Sequence, residues 1–136
     1  MNDYERKQLI IEWLGDYNSY KAGIENLKQN IEEIAEANMG VSYDIEMVSG
    51  GNIFNSTVEK AVIELEKRIK IMTGIVNKID RALESLNDRE KEVIINRCIK
   101  GKYYYQFIKE IGISEVSAKR YKKEALRKMS ISIFGI

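Results

Sequence analysis

The chain has 136 residues, 44% hydrophobic and 32% charged, with no proline. That is enough for one ordinary domain or two small modules, too apolar for a disordered chain, and open to long unbroken helices. The single cysteine, Cys98, excludes an internal disulfide framework.

The opening MNDYERKQLIIEWL mixes charges of both signs into its first apolar stretch. That is unlike a signal peptide, and no run approaches the roughly 20 apolar residues of a membrane span. A cytoplasmic protein with no membrane partner is expected. The net charge of +1 hides an asymmetry. Residues 1–39 carry four Lys/Arg against eight Asp/Glu, residues 40–85 six against seven, and residues 86–136 twelve against six. Only the last third suits a polyanion.

In chain order, Ile10, Trp13, Tyr17, Tyr20, Ile24, Leu27, Ile31 and Ile34 alternate by three and four residues and predict one helical seam. Residues 40–55 lack a helical period and read as a connector, with room for a short hairpin at Gly50-Gly51. Ser56 or Asn55 is expected to cap the next helix, with Glu59 completing a capping box. A second heptad runs through Val58, Val62, Leu65, Ile69, Met72, Val76, Ile79, Leu83 and Leu86. Two such helices should fold back as an antiparallel hairpin. Ile63, Ile71 and Ile75 lie off the seam and need cover, from the C-terminal module or a second chain; a homodimer is the expectation. Asn87 and Glu90 form a further capping box, and Gly101 should end the helix that follows.

Residues 104–129 carry the sharpest signal. Tyr104-Tyr105-Gln106-Phe107-Ile108-Lys109-Glu110-Ile111 predicts a short helix with Phe107, Ile108 and Ile111 facing inward. Gly112 stands at the turn, Ile113 plugs the space between helices, and Ser114 caps a second helix. That helix buries Ala118, Tyr121, Ala125, Leu126 and Met129 and turns its charges outward. The pattern is that of a helix-turn-helix, whose second helix enters the major groove. Glu115, Val116, Ser117, Lys119 and Arg120 are therefore candidates for base readout, with Glu115 accepting from cytosine and Lys119 or Arg120 donating to guanine. Tyr103, Lys122, Lys123, Arg127 and Lys128 better suit phosphates.

Residues 83–129 resemble the C-terminal, upstream-promoter-reading domain (region four) of bacterial sigma factors. The features shared are the opening LNDREKEVIINRCIKGK, the aromatic Tyr104, the turn Gly112-Ile113-Ser114 and the closing Ala125-Leu126-Arg127-Lys128-Met129. No second DNA-binding motif is evident, so the chain does not look like a complete sigma factor. A heptad hairpin followed by a sigma-like helix-turn-helix is similar to phage and prophage regulators of the ArpU/RinA type, which implies control of late genes. The expected fold is all-α: a coiled-coil-like hairpin over 1–85, serving oligomerisation, then a sigma-like DNA-binding domain over 86–136. The expected function is sequence-specific binding of double-stranded DNA. Two other classes remain open, a DNA-packaging subunit resembling a small terminase and a sigma-like accessory protein bound to RNA polymerase.

Other features favour plain structure. Trp13, Tyr17 and Tyr20 sit on a seam, and a stripe at helical spacing faces a core. Glu32, Glu33 and Glu36 read as a solvated face rather than metal ligands, and Cys98 as a small buried hydrophobe. Gly50-Gly51 lacks the lysine and flanking strand of a phosphate loop. Nothing assembles into a catalytic constellation, and no catalytic residue, metal or cofactor is expected.

Overall fold

The computed structural model describes residues 1–45 and 51–136 and, of their side chains, those outside residues 38–55. Among the described residues the fold is all-α, with no strand. Six α-helices follow in order: α1 Asp3–Gly15, α2 Tyr17–Ile45, α3 Gly51–Glu84, α4 Asp88–Ile94, α5 Ile108–Ile111 and α6 Glu115–Phe134. A π-turn over Ile95–Ile99 continues α4, and a 3-10 turn over Tyr104–Gln106 precedes α5.

The first expected seam is two helices rather than one. The N–H of Asp16 donates back to the carbonyls of Glu12 and Leu14, which closes α1 at Gly15. Within α1 the side chains excluded from water are Ile10 and Leu14, while Trp13 is half-buried. Leu14 lies off the expected seam. A heptad records the face a helix could bury, whereas the break lets α1 turn a different face inward.

The expected connector is shorter than its lack of periodicity suggested. α2 continues to Ile45 and α3 opens at Gly51, so Asn55 and Ser56 both lie within α3 and neither caps it. The hairpin centred on Gly50-Gly51 lies in part on residues 46–50, outside the described residues, and its second half is instead the start of α3 at Gly51.

The chain divides into two compact units, and not at residues 85/86 as the heptads implied. One unit joins Met1–Ser19 to Ile75–Ile136; the other is Tyr20–Gly74. The second unit is an antiparallel pair of helical segments. A Cβ added at Gly23 would lie 3.2 Å from the Met72 sulfur, and Ile34 shares a groove with Val58 and Val62. Seam residues Tyr20, Leu27, Ile31, Ile34, Val58, Val62, Leu65, Ile69 and Met72 are only half-buried there, and Ile63 and Ile71 remain exposed.

The first unit holds the main core. Ile10 and Leu14 of α1 meet Ile79, Ala82 and Leu86 around the end of α3, Ile94 of α4, and Ala125, Leu126 and Met129 of α6. Each fully buried Ile, Leu or Met side chain contributes about 1.5–3 kcal/mol. Trp13 stacks on Phe134 at 6.3 Å between ring centres, and the Tyr17 hydroxyl donates to Asp80 Oδ1 at 2.5 Å. The boundary expected from sequence fails because periodicity along one helix does not reveal which helix covers its apolar face.

Candidate nucleic-acid interface

The segment from α4 to α6 is built from local signals that hold each piece at a defined angle. Asn87 Oδ1 accepts from the Glu90 N–H at 2.9 Å, and Glu90 Oε1 accepts from the Asn87 N–H at 3.0 Å, which closes the expected capping box on α4. Glu90 is 2% exposed and also receives the Lys128 ammonium at 2.8 Å, locking α4 to α6. The π-turn closes with the Lys100 N–H on the Ile95 carbonyl at 2.9 Å, and Gly101 leaves it at φ 67°.

The expected first helix is largely a turn. Tyr104–Gln106 is 3-10, Phe107 leaves helical geometry at φ −136°, and only Ile108–Ile111 closes an α-turn. Phe107 is nonetheless 1% exposed and packs with Val93 and Ala118, surrounded by Ile108, Ile111, Ile113 and Tyr121. Arg89 donates to the Ile111 carbonyl, satisfying an orphan acceptor at the end of α5. Gly112 follows in the left-handed region at φ 77°, where a Cβ is disfavoured. Ser114 Oγ then accepts from the Ser117 N–H at 3.1 Å and caps α6.

On α6 the faces separate as the sequence pattern requires. Ala118, Ala125, Leu126 and Met129 are buried, whereas Glu115, Val116, Lys119, Arg120 and Lys123 are exposed and Lys122 is half-buried. Val116 is 77% exposed, an apolar side chain in the first turn with nothing over it. Glu115 in that turn also complements the positive end of the helix dipole. Ser117 is half-buried and its hydroxyl accepts from Ser114 Oγ at 3.0 Å, so part of its bonding capacity belongs to the cap.

Two expected phosphate contacts are tied elsewhere. Lys128 is held by buried Glu90 and belongs to the frame of the module. Arg127 donates through Nε and Nη2 to both oxygens of Glu124, a bidentate pair on the surface. That hydrogen bond holds the Glu124 carboxyl below its ordinary range and raises the Arg127 guanidinium above its own. Tyr103 is exposed and stacks on Tyr105 at 5.9 Å with the rings 7° from parallel.

Three residues join this surface that the sequence pattern did not assign to it. Tyr104 packs on Phe107 and is flanked by the Arg97 guanidinium at 5.3 Å and the Lys119 ammonium at 5.9 Å from its ring centre. Lys7 of α1 lines the same groove as Lys119, Lys122 and Lys123. No local signal could have found Lys7, because it reaches α6 only through the packing of α1. Burial pushes the Cys98 thiol up from its ordinary value, against the opposing charges of Lys122 and Arg97, which suits its packed position.

Among the described residues, no cluster of acidic or cysteine side chains is arranged to hold a metal ion, and no helix is long and apolar enough to cross a membrane. Comparison with protein-family models, with curated proteins and with solved structures gives no match.

Proposed function

We propose that this protein is a non-enzymatic, sequence-specific DNA-binding regulator of transcription that reads duplex DNA with the first turns of α6. The observation that carries this reading is the division of α6. Its buried side is anchored by Ala118, Ala125 and Met129, and its open side presents Glu115, Val116, Lys119 and Arg120 just beyond a left-handed glycine and a serine cap. The arrangement fits a helix-turn-helix whose second helix enters the major groove. With the sigma-like motif of residues 83–129, it favours a promoter as target and an ArpU/RinA-type role at phage or prophage late genes.

The half-buried seam of Tyr20–Gly74, with Ile63 50% and Ile71 64% exposed, favours a homodimer through the helical arm. An apolar groove of about 380 Å³ beside Ile34, Val58 and Val62 supports the same arrangement. RNA polymerase is a second partner in keeping with the sigma-like module, and the bacterial cytoplasm is the compartment in which both would be met.

Selection of bound sequences from random duplex DNA, with stoichiometry measured by sedimentation, tests the reading. An enriched two-fold motif bound by a dimer is the expected result. Absence of any salt-sensitive duplex binding would overturn it. A ring of many subunits would instead favour DNA packaging, and polymerase binding without DNA affinity would favour the accessory-protein role.

A further inference from the structure

A groove of about 380 Å³ lies between α1 and the first half of α6, lined by Lys7, Tyr104, Lys119, Lys122, Lys123 and Leu126. Four lysines thus line one opening. Among the described residues no carboxylate forms an ion pair with Lys119, Lys122 or Lys123, and Lys7 meets only Asp3, at 3.0 Å on an exposed edge. Like charges gathered in this way repel one another, and among the described residues the exposed Asp3 is the one carboxylate paired with any of the four. The adjoining surface adds Arg120, and its one acid, Glu124, is already bound by Arg127.

The chemistry selects an anion rather than a base. The Tyr104 ring has the Arg97 guanidinium 5.3 Å and the Lys119 ammonium 5.9 Å from its centre, so its nearest charged neighbours are cations. The four lysines supply flexible ammonium donors around the groove, which suit phosphate oxygens.

We infer that Lys7, Lys119, Lys122 and Lys123 form a phosphate pocket, and that α1 is thereby a third element of the interface, holding a backbone phosphodiester when duplex DNA is bound. The source of the phosphate rests on the DNA-reading proposal above; the pocket itself does not. Lys119, placed among base contacts by its position on α6, becomes a phosphate contact in this arrangement.

The test uses the full chain and two probes, a short duplex of mixed sequence and inorganic pyrophosphate, each followed by amide NMR and by affinity across a salt series. Both probes should shift the signals of Lys7 and Tyr104. Lys7→Ala should weaken duplex binding about fivefold near 0.15 M salt, equally for target and unrelated sequences, and reduce the salt slope by about one. Lys122→Ala should do the same, Lys7→Arg should restore binding, and Asp3→Asn should strengthen it by releasing Lys7.

Unchanged affinity and slope in both alanine variants, with wild-type protein binding DNA, would overturn the pocket and leave the DNA reading standing. Pyrophosphate shifts that vanish in Lys7→Ala, with no duplex binding at low salt, would keep the pocket with a free phosphate compound as its source and remove the DNA reading. No shift at Lys7 or Tyr104 with either probe would overturn the proposal.

Discussion

Glu90 serves two elements from one buried position: it closes the cap of α4 and neutralises Lys128 of α6. Breaking such a pair from one side is more damaging than the pair is stabilising, because the remaining charge keeps its desolvation penalty. Lys128→Ala leaves a carboxylate at 2% exposure without its cation and should lower stability by about 3 kcal/mol, read as a lower urea midpoint. Duplex affinity of the folded variant should fall less than for Lys122→Ala, which separates a frame residue from a contact residue. Tyr17 offers a second test. Partial burial, then the hydrogen bond and charge of Asp80, raise its phenol from 10.0 to about 12. Because the folded-state value lies above the unfolded one, the stabilisation is complete below pH 10 and disappears as pH rises toward 12. Ultraviolet titration should therefore show one of the eight tyrosines ionising late, and Asp80→Asn should bring it earlier. An unchanged profile in Asp80→Asn would show that Asp80 does not govern Tyr17.

Among the elements, the turn between α5 and α6 and the middle of α3 make opposite demands on glycine. Gly112 has φ 77° with open space where a Cβ would sit, so Gly112→Ala meets only the backbone penalty, about 1–2 kcal/mol. Gly74 lies inside α3, also with open space around an added Cβ, and Gly74→Ala should stabilise by about 0.5–1 kcal/mol. Thermal unfolding of the two variants should move in opposite directions; equal shifts would contradict the backbone assignment. Signals of this local kind were legible in the sequence. The Asn87–Glu90 cap, the glycines at 101 and 112 and the Ser114 cap each depend on residues within a turn of one another. The end of α1 at Gly15 was not legible, since the apolar spacing runs on through it and Gly15 and Gly23 both stand inside the seam without marking which of them ends a helix. Nor was the 3-10 turn over Tyr104–Gln106, because packing of Phe107 with Val93 and Ala118 decides that geometry.

At the scale of the whole molecule, the segment from α4 to α6 does not cover its apolar side by itself, and this too lay beyond the sequence pattern. Its buried side is completed by α1, whose Ile10 and Leu14 are 0% exposed against residues more than sixty positions away. The acidic balance of residues 1–39 pointed away from any role for the N-terminus at a polyanion, yet Lys7 lies beside the α6 lysines. Net charge over a segment conceals where single charges are carried by the fold. Leu14→Ala should lower stability by about 2–5 kcal/mol, the range for a buried leucine whose cavity does not collapse. The loss should reach α6, seen as reduced amide protection around Ala125 and Met129. A fragment of residues 84–136 keeps nearly the whole motif but lacks this cover, and it should give poorly dispersed NMR spectra and weak DNA binding. Residues 1–19 joined to residues 75–136 by a Gly/Ser linker should recover both dispersion and non-specific duplex affinity, because that chain contains the complete core. Dimer-dependent discrimination between sequences should be lost in the same chain, since the helical arm is gone. If the shorter fragment folds and binds as the full chain does, α1 is an accessory to the fold rather than part of its core.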